Sequence, residues 1–91
     1  KAGIIGLTRD LSLQWAGRKG IRVNALAPGL FASEMTDQMG VHVVEQAVNQ
    51  APMGRVGRQE ELDNAMLFLA SGASSYISGV VLPVDGGLSM S

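Results

Sequence analysis

Few residues in this chain are of a type and spacing that could do chemistry. The densest group lies in "RVNALAPGLFASEMT", Arg22 to Thr36, where an apolar run breaks at Pro28-Gly29 and continues as Leu30, Phe31 and hydroxyls at Ser33 and Thr36. Proline fixes one backbone angle and withdraws a donor, while glycine accepts angles closed to other residues. Together they turn a chain sharply and let backbone come close to a ligand. Leu30 and Phe31 look exposed in such a loop, and the peptide groups from Leu30 to Ser33 would suit an amide or a ribose. The same residues also suit an ordinary strand-to-helix turn, and the pattern alone leaves both readings open.

The other candidates have plainer readings beside them. Glu60, Glu61 and Asp63 resemble paired acids, yet they sit where a helix starts, and there the helix dipole favours them as caps and solvated groups. Met35 and Met39, four apart, suit a soft lid over an apolar substrate or simple packing. His42 stands alone and reads as surface. With no cysteine and one histidine, disulfides and thiolate chemistry are excluded and little is left for a zinc or iron site.

Composition narrows the partners. The net charge is −1 and the seven Lys and Arg are scattered, so there is no basic stripe for nucleic acid or an anionic membrane. No apolar run approaches the roughly 18 residues of a membrane-spanning helix, and nothing contradicts a cytoplasmic address. At 91 residues the chain makes at most one small domain, and 46% hydrophobic against 16% charged residues is more apolar surface than such a domain buries alone. It is expected to need neighbours. It opens on Lys1, not methionine, within what reads as a helix, which suggests a start inside a longer protein.

These candidates need elements to position them. Ala2 to Arg18 places Ile4, Leu7, Leu11 and Trp15 along one side of a helix, with a second, smaller face of Ala2, Gly3 and Gly6 that would admit a close helix neighbour. Gly20 ends it. "IRVNALA" is short, β-branched near its start and bounded by turn residues, hence a buried strand. Thr36 to Gln50 is helical in character, as two pieces interrupted near Gly40, and "APMGRVGR" then redirects the chain. A third helix is expected from about Gln59 to Ala70, with Leu62, Ala65, Met66 and Leu69 on its apolar side. "SGASSYISG" is a connection, "VVLPV" a strand and "DGG" its close. Strand, helical crossover and strand form the unit of a parallel sheet, so the class is α/β, and ligands of such sheets bind beyond the carboxyl ends of the strands. Pro28-Gly29 occupies that position.

Several features in register extend the reading: a lysine opening an Ala-Gly helix, Val-Asn-x-x-x-Pro-Gly, Gly-Arg-x-Gly-x-x-x-Glu, Phe-Leu-Ala-Ser, and a final Gly-x-x-x-x-Val-Asp-Gly-Gly. In this order and spacing the chain resembles the second half of a short-chain dehydrogenase/reductase over nearly its whole length. The resemblance implies that residues 1–91 are the C-terminal segment of one Rossmann-type, doubly wound parallel-sheet domain that binds NAD or NADP. It implies hydride transfer between the nicotinamide and a carbonyl or alcohol carbon of a small molecule.

By the same resemblance Lys1 is the family's lysine, which binds the nicotinamide ribose and lies one helical turn after a reacting tyrosine. An ammonium so close would lower that tyrosine's pKa toward working pH. Without the resemblance Lys1 reads as an ordinary solvated lysine. Beyond Pro28-Gly29, the peptide group of Phe31 and the side-chain hydroxyl of Ser33 take the positions that hold the nicotinamide carboxamide. The family usually has isoleucine or valine at the first and threonine at the second. Asn24 is not the family's catalytic asparagine and is expected to satisfy buried backbone groups near the strand. Tyr76 is not the reacting tyrosine, since no lysine lies four residues beyond it.

No Gly-rich dinucleotide fingerprint occurs, and neither the family's serine nor its tyrosine is present. The 91 residues alone are therefore expected to be inactive, either as part of an oxidoreductase or as a non-catalytic, self-associating piece. In the family the lysine's helix joins a four-helix bundle with a second subunit, and the last helix and strand make another contact. The faces of Gly3, Gly6, Leu62 and Met66 fit that use, so a homo-oligomer is expected, a tetramer for the parent. Its apolar loop is compatible with a 3-oxoacyl thioester and does not exclude a steroid or a sugar.

Overall fold

The computed structural model describes residues 2–31 and 40–90. Lys1, Ser33, Met35, Thr36 and Met39 lie outside them. In chain order the elements are helix α1 (Ala2–Lys19), strand β1 (Ala25–Pro28), helix α2 (Val41–Gln50), helix α3 (Gln59–Ala70), a 3-10 turn (Gly72–Ser74), strand β2 (Val81–Val84) and a last 3-10 turn (Leu88–Met90). The α/β order matches the expected one, and β1 and β2 pair as a two-stranded sheet. The Ala25 N–H donates to the Val80 carbonyl at 2.9 Å and the Gly29 N–H to that of Val84 at 2.9 Å. Equal steps of four residues in the same direction on both chains make the pairing parallel.

The chain forms two compact units, Lys1–Leu26 with Met66–Leu82, and Ala27–Ala65 with Pro83–Ser91. In the first, α1 ends as expected at Gly20, whose φ of 64° is the left-handed conformation glycine supplies after a helix. The apolar stripe of α1 is only partly covered: Leu11 and Trp15 are half-buried, whereas Ile4 and Leu7 are exposed. The buried residue of that helix is instead Thr8, whose hydroxyl donates to the Ile4 carbonyl at 2.7 Å. Nothing described lies within 4 Å of where a Cβ would stand on Gly3 or Gly6, so the close neighbour expected on that face is not supplied by these residues.

The strand expected over "IRVNALA" starts only at Ala25; before it one backbone bond, from the Gly79 N–H to the Val23 carbonyl at 2.7 Å, is joined by side-chain bonds. Asn24 donates from Nδ2 to the Ile77 carbonyl at 3.0 Å and accepts the Val80 N–H at 3.1 Å. It thus satisfies backbone near the strand, as anticipated. Arg22 does the same on a larger scale. Its Nη1 faces the Leu69, Ser74 and Ile77 carbonyls and the Ser74 hydroxyl, and its Nη2 donates to the Ser71 carbonyl. These acceptors lie at the end of α3, in the turn after it and at Ile77, and Arg22 ties them together beside the donors they already have. Ser74 is the most buried residue of this unit, at 1% exposure.

In the second unit α2 begins after Gly40, at a φ of 91°, where the second of the two expected pieces was to start. The piece expected before it falls among residues not described. Ala51 is buried and closes α2 through its N–H to the Ala47 carbonyl, and Gly54, at a φ of 69°, turns the chain back. α3 starts where its acids placed it. Glu61, its third residue, accepts the Arg58 N–H at 2.8 Å, the backward half of a capping box.

Candidate functional site

The site grows from the carboxyl end of β1. Ala25 and Gly29 point their N–H groups at β2, so in the alternating ladder the absent N–H of Pro28 faces away from it, and the proline costs no pairing. Pro28 is exposed, as a strand end open to a ligand would be. Gly29 has a different reason from the one the sequence suggests. Its φ is not in the left-handed region; a Cβ placed on it would stand 2.6 Å from the Asp85 Cβ and 2.8 Å from its Cα. The close approach that demands glycine is made by the protein's own backbone at the end of β2.

Leu30 and Phe31 are not the exposed loop residues they resemble. Leu30 is half-buried and Phe31 is 8% exposed. Phe31 forms an isolated parallel bridge with Gly57, in which the Gly57 N–H donates to the Leu30 carbonyl at 2.8 Å. The aromatic ring lies on Gly57, where any side chain would collide with it. Any part Phe31 plays toward a ligand therefore falls to its peptide, because its ring is committed to packing.

Beside this segment, within the same unit, is a cavity of about 320 Å³ walled mainly by Phe31, Val48, Ala51, Met53, Val56 and Leu88. Its size is at the lower end for small-molecule sites, and its lining is largely apolar. Arg55 and Glu61 also reach it. They pair through two parallel bonds, Nη1 to Oε1 at 2.7 Å and Nη2 to Oε2 at 2.8 Å. The bond from Arg55, with the Arg58 N–H behind it, lowers the Glu61 carboxyl from 4.5 to about 2, and the same bond raises the Arg55 guanidinium. The pair is thus ionised and locked.

Of the residues singled out from the sequence, Pro28, Gly29 and Phe31 lie together on one stretch, and Lys1 and Ser33 fall outside the described residues. Glu60 pairs with Arg58 at 2.8 Å and Asp63 accepts from Gln59 at 3.2 Å, which keeps both in a solvated helix start. His42 and Tyr76 are exposed. Among the described residues no cluster of His, Asp or Glu could hold a metal, and no helix is long and apolar enough to cross a membrane. Sequence reasoning gave no role to Gly57, Asp85 or the Arg55–Glu61 pair. Their only signal was membership of the Gly-Arg-x-Gly and Val-Asp-Gly-Gly strings.

Known proteins resemble this chain in sequence and fold. A family model described as enoyl-(acyl carrier protein) reductase matches residues 1–89. The 3-oxoacyl-(acyl-carrier-protein) reductase of Thermotoga maritima is 47% identical over 88 residues, covering 97% of this chain and 35% of its own. Galactitol 2-dehydrogenase (L-tagatose-forming) of Cereibacter sphaeroides is 51% identical over 89 residues, 96% of this chain and 35% of its own. Among solved structures, the 3-oxoacyl-(acyl-carrier protein) reductase of Brucella melitensis superposes with a TM-score of 0.91 at 38% identity, covering 99% of this chain and 33% of that one. The gluconate 5-dehydrogenase of Burkholderia cenocepacia, in complex with NADP and tartrate, gives 0.89 at 38% identity over 100% of this chain and 36% of that one. The chain spans about a third of the length of the relatives it matches.

Proposed function

The chain belongs to the short-chain dehydrogenase/reductase family, and we propose that the protein carrying it is an NAD- or NADP-dependent oxidoreductase acting on a carbonyl or alcohol carbon. The observation that carries this reading is the segment Pro28 to Phe31: an open strand end whose following peptides are fixed by Asp85 on one side and Gly57 on the other. The arrangement fits a nicotinamide, because beyond exposed Pro28 the Phe31 ring is packed on Gly57 and leaves backbone, not side chain, to meet a flat amide-bearing ring. When bound, that ring gives or takes the hydride.

The chain's own residues then bind and orient. The Phe31 peptide and the Ser33 hydroxyl hold the carboxamide and so fix which face of the ring meets the substrate. Lys1 binds the ribose and keeps the tyrosine one turn before it acidic enough to exchange a proton with the substrate oxygen. Residues 1–91 are read as the C-terminal segment of one cofactor-binding domain, in a cytoplasmic homo-oligomer, a tetramer for the complete protein.

The apolar cavity beside Phe31 favours a substrate with a hydrocarbon chain, such as a 3-oxoacyl thioester, over a polyol. The test is turnover by the full-length protein, followed as nicotinamide absorbance. Reduction of a 3-oxoacyl thioester well above that of a sugar ketone supports the assignment; the reverse order removes the thioester. No turnover of either with either nicotinamide removes the oxidoreductase reading.

A second reading is favoured by the exposed apolar residues Ile4, Leu7, Leu13, Met66 and Leu67. In it, the 91 residues by themselves are an inactive, self-associating piece. Light scattering on the 91-residue chain, with calorimetry against NADH and NADPH, decides: a nicotinamide-binding monomer contradicts it.

A further inference from the structure

We propose that Asp85 is a positioning residue for the nicotinamide-facing segment, an inference that rests on the assignment of Pro28 to Phe31 given above. Asp85 ends β2 and is half-buried. One carboxylate oxygen accepts the Gly87 N–H at 3.0 Å and the other the Ser89 N–H at 3.1 Å. Both bonds are charge-assisted and reinforce a turn that the backbone closes with one bond, from the Leu88 N–H to the Asp85 carbonyl at 3.2 Å. Gly86 and Gly87, at φ values of 62° and 89°, supply its left-handed angles.

The turn so fixed touches both sides of the segment. On one side the Val84 carbonyl takes the Gly29 N–H, and Asp85 Cα and Cβ lie against the Gly29 α-carbon. On the other, the Gly86 carbonyl accepts the Met53 N–H at 3.0 Å, and Gly87 meets Pro52, where a Cβ would come within 3.0 Å. The loop from Met53 runs on to Gly57, which bonds the Leu30 carbonyl. Gly29 and Leu30 are therefore held by two contacts that both lead back to the Asp85 turn. Loosening the carboxylate frees both at once, and the Phe31 peptide moves with them. Asparagine keeps one acceptor but turns an N–H₂ toward the second N–H, and alanine keeps neither.

Asp85→Asn and Asp85→Ala in the full-length protein test this, with steady-state kinetics and the fluorescence of bound reduced nicotinamide. Positional errors of about an ångström cost one to two orders of magnitude in comparable sites. The KM for reduced nicotinamide is expected to rise roughly tenfold in Asp85→Ala and less in Asp85→Asn, with emission moving toward that of free cofactor. The KM for the carbonyl substrate should stay near wild type. Arg22→Met, in the other unit, serves as a control for destabilisation alone and should lower the melting temperature with cofactor KM and emission unchanged.

If Asp85→Ala lowers the melting temperature as the control does but leaves cofactor KM and emission at wild-type values, the residue is merely structural and the proposal fails. Should Asp85→Ala not fold, the near-isosteric Asp85→Asn decides, and wild-type cofactor KM there overturns it. Absence of any emission change with the wild-type protein overturns the functional assignment and this inference together. A wild-type response that persists in both variants overturns this inference alone.

Discussion

The ring of Phe31 occupies the space where Gly57 has no side chain. A Cβ on Gly57 would stand 2.5 Å from Phe31 Cε1 and 2.6 Å from Cδ1, well inside van der Waals contact. The two residues are bridged through backbone as well, so neither can slide to relieve the overlap without giving up a bond. An aromatic ring here and a glycine there are one solution, chosen together.

Gly57→Ala in the full-length protein is accordingly expected to cost about 1–3 kcal/mol of stability, the usual range for overpacking a fitted interior. Phe31→Val should relieve the collision, so the double variant is expected to be more stable than the sum of the two single changes requires. A double-mutant cycle by denaturant unfolding reads this directly. Additivity within a few tenths of a kcal/mol would mean the ring and the glycine are not coupled.

Gly29→Ala makes a sharper demand. Its new methyl would meet the Asp85 Cα at 2.8 Å as well as its Cβ, and backbone cannot swing away as a ring can. No side-chain change at position 85 should rescue it: Asp85→Gly removes the Cβ and leaves the Cα in place. The cofactor KM is expected to rise together with a fall in melting temperature, since strand pairing and the peptides proposed to face the nicotinamide share this residue. A fully active, fully stable Gly29→Ala would contradict the placement of Asp85.

The helices were legible because their signals are local. The third runs over Gln59–Ala70 as its acidic start and apolar spacing require, and the first ends at its glycine. The strand ends were less so, since Asn24 and Arg22 add side-chain bonds to distant carbonyls there, and nothing in "IRVN" announces which carbonyls they will find. The site was legible in part. Pro28-Gly29 marks the strand end, but that Gly29 is needed for Asp85, and that Phe31 is buried on Gly57, depends on contacts across 56 and 26 residues of sequence. Long-range packing of this kind has no signature in a local pattern.

Among the described residues Arg22 has no acidic partner, and its fork is spent on carbonyls of the α3 end and the following turn, with the Ser74 carbonyl and hydroxyl each at 2.8 Å. Each of these carbonyls also has a second donor, from Ser74, Ile77 or Asn24, so removing Arg22 costs its charge-assisted bonds rather than orphaning acceptors, about 1.5–3 kcal/mol in all. Arg22→Ala is expected to destabilise by about 1.5–3 kcal/mol. Arg22→Lys should recover little, because a single ammonium cannot span acceptors that lie on two sides of a planar fork. Denaturant unfolding of the three proteins checks this, and a lysine variant close to wild type would show that charge alone suffices.

Glu61 gives a prediction in pH. Its carboxyl is lowered from 4.5 to about 2, first by the hydrogen bond from Arg55 and next by the Arg58 N–H. The folded state thus holds the ionised form more tightly than the unfolded chain does, so folding is favoured by this group above pH 4.5. As pH falls from 4.5 toward 2 the unfolded chain takes up the proton first, and that contribution is progressively lost. The melting temperature of the wild-type protein should therefore drop more steeply over this window than that of Glu61→Gln, which cannot titrate. Above pH 5.5 or so the difference between the two should be constant, since the carboxyl is then ionised in both states. High salt should shrink the difference, because the pair is exposed to solvent and screened there. Parallel melting curves for the two proteins from neutral pH down to 2.5 would show that Arg55 does not hold the Glu61 carboxylate in solution.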